Sequence, residues 1–512
     1  MLVKTFGSAL LGIHATIVTV EVNVSNGVNF FLVGLPDSAV KESHQRIAAA
    51  LKNIGYKIPT KEITINMAPA DIRKEGSSYD LTIAIGILAA SEQISAEKVS
   101  DYILMGELSL DGELRPIKGV LPIAIEAKKQ GFKGMIIPAE NATEAAIVDG
   151  LEVYGVKDLE EVIRFFDGQG ELERFTFDIA ARFAEGVNDY PVDFSDVKGQ
   201  ENIKRAFEIA AAGGHNVILI GPPGAGKTML AKRLPTILPP LNIEEALETT
   251  KIHSIVGRTS KEEGLIVQRP FRSPHHTISD VALVGGGGFP QPGEISLAHN
   301  GVLFLDELPE FKRTVLEVMR QPLEDRVVNI SRAKFSVDYP ASFMLVASMN
   351  PCPCGYYNHP DKECVCPPGL VQKYLNKISG PLLDRIDLHI EVTPVSFDEL
   401  SDKRLTESSV SIRERVSIAR LKQEERFRDS KDMHANAHMG KQELNAHCHI
   451  DKAGTEMLKV AMDRLGLSAR AYDRILKVSR TIADLDKSEN IQTQHLAEAI
   501  QYRSLDREGW AG

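Results

Sequence analysis

Three rhythms of apolar and polar positions run along the chain, and each predicts a different kind of element. Ala15 to Val24 alternates, with many β-branched residues, and Val28 to Val33 is a second apolar run. Period-two alternation is the pattern of a strand with one buried face. Asn26-Gly27 between the runs predicts a tight hairpin. From Asp37 the period lengthens: Val40, Ile47, Leu51 and Ile54 share one helical face, with Asp37 as N-cap and Gly55 as the stop. Glu62 to Asn66 predicts a further strand. Leu81 to Ala90 is apolar on all sides, as a buried helix is. Residues 1–167 are therefore expected to form an α+β unit. Residues 168–192 are charged and contain Gly-Gln-Gly, and read as a linker with one helix near Phe177 to Ala184.

Past residue 193 a helix is expected over Ile203 to Ala212, ended by Gly213-Gly214. The third rhythm then begins: short unbroken apolar runs, each ending in chemistry. Such runs suit the central strands of a parallel sheet. Val217 to Ile220 leads into Gly221, Pro222, Pro223, Gly224, Ala225, Gly226, Lys227 and Thr228, followed by a helical stretch. A strand, a G-x-x-x-x-G-K-[ST] loop and a helix start make a P-loop. Its backbone N–H groups form a nest for phosphate oxygens, Lys227 reaches the β- and γ-phosphates of ATP, and the Thr228 hydroxyl ligates Mg²⁺. Val302 to Leu305 ends in Asp306 and Glu307. After a P-loop, this pair is expected to hold Mg²⁺ (Asp306) and to polarise the attacking water (Glu307). Phe343 to Met349 ends in the amide of Asn350.

Length and charge change the picture in two ways. A chain of 512 residues exceeds one ordinary domain. Its net charge of −11 excludes a whole-chain basic field, so any DNA contact must be local or built by several subunits around a channel. The N-terminus lacks the apolar core of a signal peptide, and no apolar run is long enough to span a membrane. A cytoplasmic location is expected. Cys352-Pro-Cys354 and Cys364-Val-Cys366 form two C-x-C pairs. Four thiolates from two tight turns can close a tetrahedral Zn²⁺ site; an Fe–S cluster and four free thiols are the competing readings.

Several segments resemble known families. The strand ending in Asn350 resembles the sensor 1 strand of AAA+ ATPases, and Ser379-Gly-Pro-Leu-Leu-Asp-Arg-Ile-Asp387 resembles the arginine-finger segment of their helix-2-insert clade. The resemblance implies that Asn350 helps place the water and that Arg385 completes the site of a neighbouring subunit. Leu467 to Arg474 resembles the sensor 2 segment, implying Arg470, with Arg474 as an alternative. Arg326 to Val337 resembles that clade's channel hairpin, which implies that Arg332 and Lys334 at its tip touch DNA phosphates. The glycine-rich stretch Val281 to Glu294 is read as a second pore loop. Pro69 to Asp80 and Gly106 to Ile117 resemble the proteolytic domain of Lon. That match puts Ser78 at the nucleophile position but Leu121 where the lysine base belongs, with Lys118 three residues away. A serine without a base is a poor nucleophile, so peptidase chemistry is not expected.

Phe271 to His276, Pro292 to Gly301 and Asn350 to Gly355 resemble the magnesium-chelatase-like AAA+ proteins of the ComM/YifB type, over nearly the whole chain. The fold class that follows is an α/β P-loop AAA+ module of the helix-2-insert clade (193–395) with an α-helical lid (396–512), preceded by an α+β Lon-protease-like domain. The resemblance implies a hexameric ATPase using ATP and Mg²⁺, acting on DNA as a branch-migrating helicase in natural transformation. Alternatives are a protein remodeller with the Lon-like domain as adaptor, for which Phe289 in the glycine-rich loop speaks, and the ATPase subunit of a metal chelatase.

Overall fold

The structure is a computed structural model that describes residues 1–186, 189–260, 262–332, 335–357, 359, 361–367, 369–395, 406–430 and 433–503. It divides into two compact units. The first comprises Met1–Gly186 and Ile243–Val267, the second Val187–Asn242 and Gln268–Gly512. The segment 243–267, which the sequence reading places inside the ATPase core, thus clusters with the N-terminal unit.

The first unit is built on an eight-stranded mixed sheet. Its central hairpin is Leu2–Leu11 with His14–Ser25, paired antiparallel from Leu2–Asn23 to Leu11–His14. Asn26-Gly27 does not make the expected hairpin. Phe30–Val33 pairs parallel with Glu62–Ala68, which itself pairs antiparallel with His14–Ser25. Leu2–Leu11 and Glu62–Ala68 occupy both edges of His14–Ser25, so Phe30–Val33 can only add outside them. The helix Ser38–Asn53 forms as expected: the Asp37 carboxylate accepts from the Val40 N–H at 2.8 Å, and Val40, Ile47 and Leu51 are buried. Every residue of Asp80–Ala90 is buried. The helix Ile179–Gly186 lies in the stretch read as a linker.

The Lon-like positions are placed apart in character. Leu121 is fully buried in the helix Val120–Lys129. The Ser78 carbonyl accepts from the Gly106 N–H at 2.8 Å. Lys118 is exposed and lies along Gly257. The Leu121 N–H donates to the buried Glu144 carboxylate at 2.8 Å. Glu144 also accepts from the Ser254 hydroxyl and from Thr259 Oγ1, the latter at 3.0 Å. One carboxylate thereby holds the segment 243–267 within this unit.

The second unit carries a five-stranded parallel sheet in the order Phe271–Arg272, Val302–Leu305, Met344–Met349, Val217–Ile220, Leu388–Glu391. The middle three strands are wholly buried, so their unbroken apolar runs follow from having helices on both faces. The helix Glu201–Gly213 packs beside them, ended by Gly214. The lid consists of Ser409–Arg426, Lys441–His447, Lys452–Leu465, Ala469–Leu485 and Thr493–Gln501. Among the described residues no helix is long and apolar enough to cross a membrane.

Glu144→Ala removes the acceptor of two hydroxyls and an N–H, and is expected to cost about 2–4 kcal/mol in a denaturant melt of the N-terminal unit. Burial raises the Glu144 carboxyl above its usual range. A raised value favours the folded unit at pH below the ordinary carboxylate value, and that contribution fades as pH rises through the raised one. The stability lead of the wild type over Glu144→Gln should therefore shrink as pH rises above the ordinary carboxylate value, as followed by thermal melts over that rise. A lead that grows with pH would contradict this assignment.

Candidate nucleotide site and cysteine cluster

The three central strands end at one edge of the sheet, and their last residues meet there. Gly224 and Gly226 adopt φ of +81° and +86°, the left-handed region that the sharp phosphate loop requires. The helix Lys227–Arg233 starts at once. A cleft of about 420 Å³ opens above, lined by Gly224 to Thr228, Asp306, Glu307, Ser348 and Asn350 among others. The Lys227 ammonium is buried and donates to the Gly221 carbonyl (2.7 Å), the Pro222 carbonyl (3.0 Å) and Asn350 Oδ1 (3.1 Å). Burial lowers its pKa, against the pull of Asp306 and Glu307.

Thr228 Oγ1 donates to Asp306 Oδ2 at 2.7 Å. Adjacent oxygen ligands of an octahedral Mg²⁺ stand about 2.9 Å apart, so the two oxygens fit one ion's coordination sphere. The other Asp306 oxygen accepts from the Ser348 hydroxyl and from the Glu307 N–H. Ser348 is absent from the sequence reading. It was findable: it lies two residues before Asn350 on the same strand, and so faces the same way. Glu307 adopts φ 55°, ψ 49°, uncommon for a residue with a Cβ. Its carboxylate is 57% exposed and 3.6 Å from His276 Nδ1, a second residue that periodicity could not bring to the site.

Arg385 and Arg470 are not among the residues lining this cleft. Arg385 is buried beside a separate cleft of about 460 Å³, where its guanidinium pairs with Glu324 and donates to the Pro381 carbonyl. Arg470 is exposed and pairs with Asp384 at 3.0 Å. Arg474 pairs with the buried Asp387 at 3.0 Å. Asp387 also accepts from the Asn216 N–H (3.1 Å) and lies 3.3 Å from His215 Nδ1. Burial alone would raise the Asp387 carboxyl, but Arg474 and His215 hold it well below the usual range.

The expected hairpin is present as Val327–Arg332 and Phe335–Pro340, antiparallel. Lys334 and the side chain of Arg332 lie outside the described residues. The Tyr339 hydroxyl donates to the Pro290 carbonyl at 2.8 Å, which ties this hairpin to the glycine-rich insert with its short strands Gly285–Gly286 and Gln291–Pro292.

The four cysteines converge. Their sulfurs all lie within 4.8 Å of one another, with 3.3 Å between Cys352 and Cys354, 3.7 Å between Cys352 and Cys364, and 3.6 Å between Cys354 and Cys364. A tetrahedron of thiolates about 2.3 Å from Zn²⁺ has edges of about 3.8 Å.

Three family models match the chain. "Magnesium chelatase, subunit ChlI" matches residues 193–400, "Subunit ChlI of Mg-chelatase" 20–141, and "Magnesium chelatase, subunit ChlI C-terminal" 406–503. The uncharacterized protein YifB of Escherichia coli K12 is 46% identical over 503 residues, covering 98% of this chain and 96% of that one. The competence protein ComM of Haemophilus influenzae is 45% identical over 506 residues, covering 98% and 97%. Lon protease 2 of Bacillus subtilis is 36% identical over 129 residues, 25% of this chain and 22% of its own. With a P-loop cleft at the edge of a parallel sheet and full-length similarity of this degree, the chain belongs to the magnesium-chelatase-like AAA+ ATPase family that includes YifB and ComM.

Proposed function

We propose that this chain is the cytoplasmic protomer of a hexameric ring that hydrolyses ATP to move on DNA and promotes branch migration during recombination. The observation that carries the ring is the position of Arg385. Among the described residues the cleft gathers Lys227, Thr228, Asp306, Glu307 and Asn350 but no arginine, while Arg385 stands at a different cleft of the same chain. Phosphoryl transfer gains most from a guanidinium at the transferring group, and here a second copy has to supply it. Lys227, held by two carbonyls and Asn350, exchanges those partners for phosphate oxygens. Thr228 and Asp306 would hold Mg²⁺, which offsets the charge on the phosphates. Glu307 accepts a proton from the attacking water once it turns from His276, and Asn350 orients that water. Arg470 acts from the lid as sensor 2.

DNA as the cargo is supported by the hairpin, whose tip carries Arg332 and Lys334, and by the similarity to a competence protein. Cations presented around a channel bind phosphates without reading sequence. The Lon-like unit serves as a non-catalytic platform, since a buried leucine fills the position of the base. The cysteine cluster holds a structural Zn²⁺, supported by the sulfur spacing.

Purified protein should show ATPase activity stimulated by forked or four-way junction DNA. Glu307→Gln should bind ATP and lose turnover by about 10²–10⁴-fold, and Arg385→Ala should lose about 10³–10⁵-fold with ATP binding kept. Unstimulated turnover with no DNA binding at low salt would sink the DNA reading. A phosphocellulose-purified protein that unfolds a tagged polypeptide instead would favour the remodeller. For the metal, elemental analysis should find zinc at one ion per chain in the wild type and none in a Cys364→Ser, Cys366→Ser double variant.

A further inference from the structure

The cysteine cluster takes no part in phosphoryl transfer, yet it is linked to the phosphate loop in two ways. The shortest is covalent: Asn350, which accepts from the Lys227 ammonium at 3.1 Å, is separated from Cys352 by Pro351 alone. The second is steric. Gly355 closes the first cysteine turn, its N–H donating to the Cys352 carbonyl at 3.0 Å. It is buried at φ +85°, and a Cβ there would lie 2.4 Å from Cδ and 2.9 Å from Cγ of Pro223 in the phosphate loop. The backbone of the cysteine turn is therefore pressed directly on the ring of Pro223, with no space for a methyl group between them.

These contacts leave little room for either site to rearrange alone. Four thiolates bound to one ion fix both C-x-C turns relative to each other, and with them Gly355 and Asn350. A nucleotide fixes the loop from the other side by drawing Lys227 and the loop N–H groups onto its phosphates. We infer that zinc binding at Cys352, Cys354, Cys364 and Cys366 and nucleotide binding at the phosphate loop are thermodynamically coupled through Gly355–Pro223 and Asn350–Lys227. The inference rests on the zinc reading above. Coupling is reciprocal, so a nucleotide that orders the loop must tighten zinc by the same factor by which zinc tightens the nucleotide. The metal then does more than brace a surface turn: loss of the ion opens the nucleotide site.

The test uses the full chain loaded with zinc, titrated with a chromophoric chelator at buffered free Zn²⁺, with and without saturating ADP and Mg²⁺. Zinc affinity should rise by about 5–100-fold with ADP, the usual range for coupled sites. In Lys227→Ala, which cannot grip phosphates, ADP should no longer shift zinc affinity. Pro223→Ala should shrink the shift while zinc still binds. Fluorescent-nucleotide titration of zinc-stripped protein should give a weakening of the same size, and re-adding zinc should restore it. Zinc affinity that stays within twofold while ADP binds normally overturns the coupling and leaves the metal site standing. A chain that takes up no zinc at all overturns both.

Discussion

The buried ammonium of Lys227 is the constraint around which the second unit is arranged. A charge taken out of water has to be met by oxygens, and three of them are supplied by the ends of neighbouring elements: Gly221, Pro222 and Asn350. That meeting is possible only because Val217–Ile220 and Met344–Met349 run side by side in the same direction and stop together. Parallel order brings the reacting ends of strands that are far apart in sequence to one edge. The carbonyls that hold the lysine are placeholders for phosphate, so the cleft is already charged and shaped before its substrate arrives.

A second buried charge governs the link from sheet to lid. Asp387 precedes the edge strand Leu388–Glu391 and meets His215, the Asn216 N–H and, from the lid helix Ala469–Leu485, Arg474. His215 Nε2 is 2.8 Å from Thr481 Oγ1 of that same helix. A carboxylate with this many partners in a dry place is costly to disturb on one side only. It ties the lid helix to the strand beside the phosphate loop.

Much of this site was legible in the sequence, and the reason is local. Glycine spacing, an apolar run and a following lysine or acid lie within a few residues, so the P-loop, Asp306 and Glu307 announce themselves, whereas Asn350 is reached only through the resemblance to a sensor 1 strand. The C-x-C pairs do so too, though the pattern alone does not say that their sulfurs meet. What stayed hidden depends on partners distant in the chain. Asn26-Gly27 has the chemistry of a hairpin turn, yet Glu62–Ala68 takes the edge that the hairpin needs. His276, just past the edge strand that pairs with Val302–Leu305, reaches Glu307, and no periodicity carries that information. The helix Ile243–Ile255 buries Thr249, Thr250 and His253 beside its aliphatic residues, so its pattern gives no sign of which unit it covers.

The helix Ile243–Ile255 ties the two units together along the chain. The N-terminal unit is completed by a strip of chain taken from between the phosphate-loop helix and the Asp306 strand, so the polypeptide passes from one unit to the other at residues 186–187, 242–243 and 267–268. A domain joined by one linker can be gained, lost or exchanged as a cassette. One threaded in this way cannot: deleting it leaves a hole in the motor sequence, and grafting it alone leaves Glu144 without Ser254 and Thr259. Any exchange of the N-terminal unit therefore has to carry 243–267 with it or lose the two hydroxyls that meet Glu144.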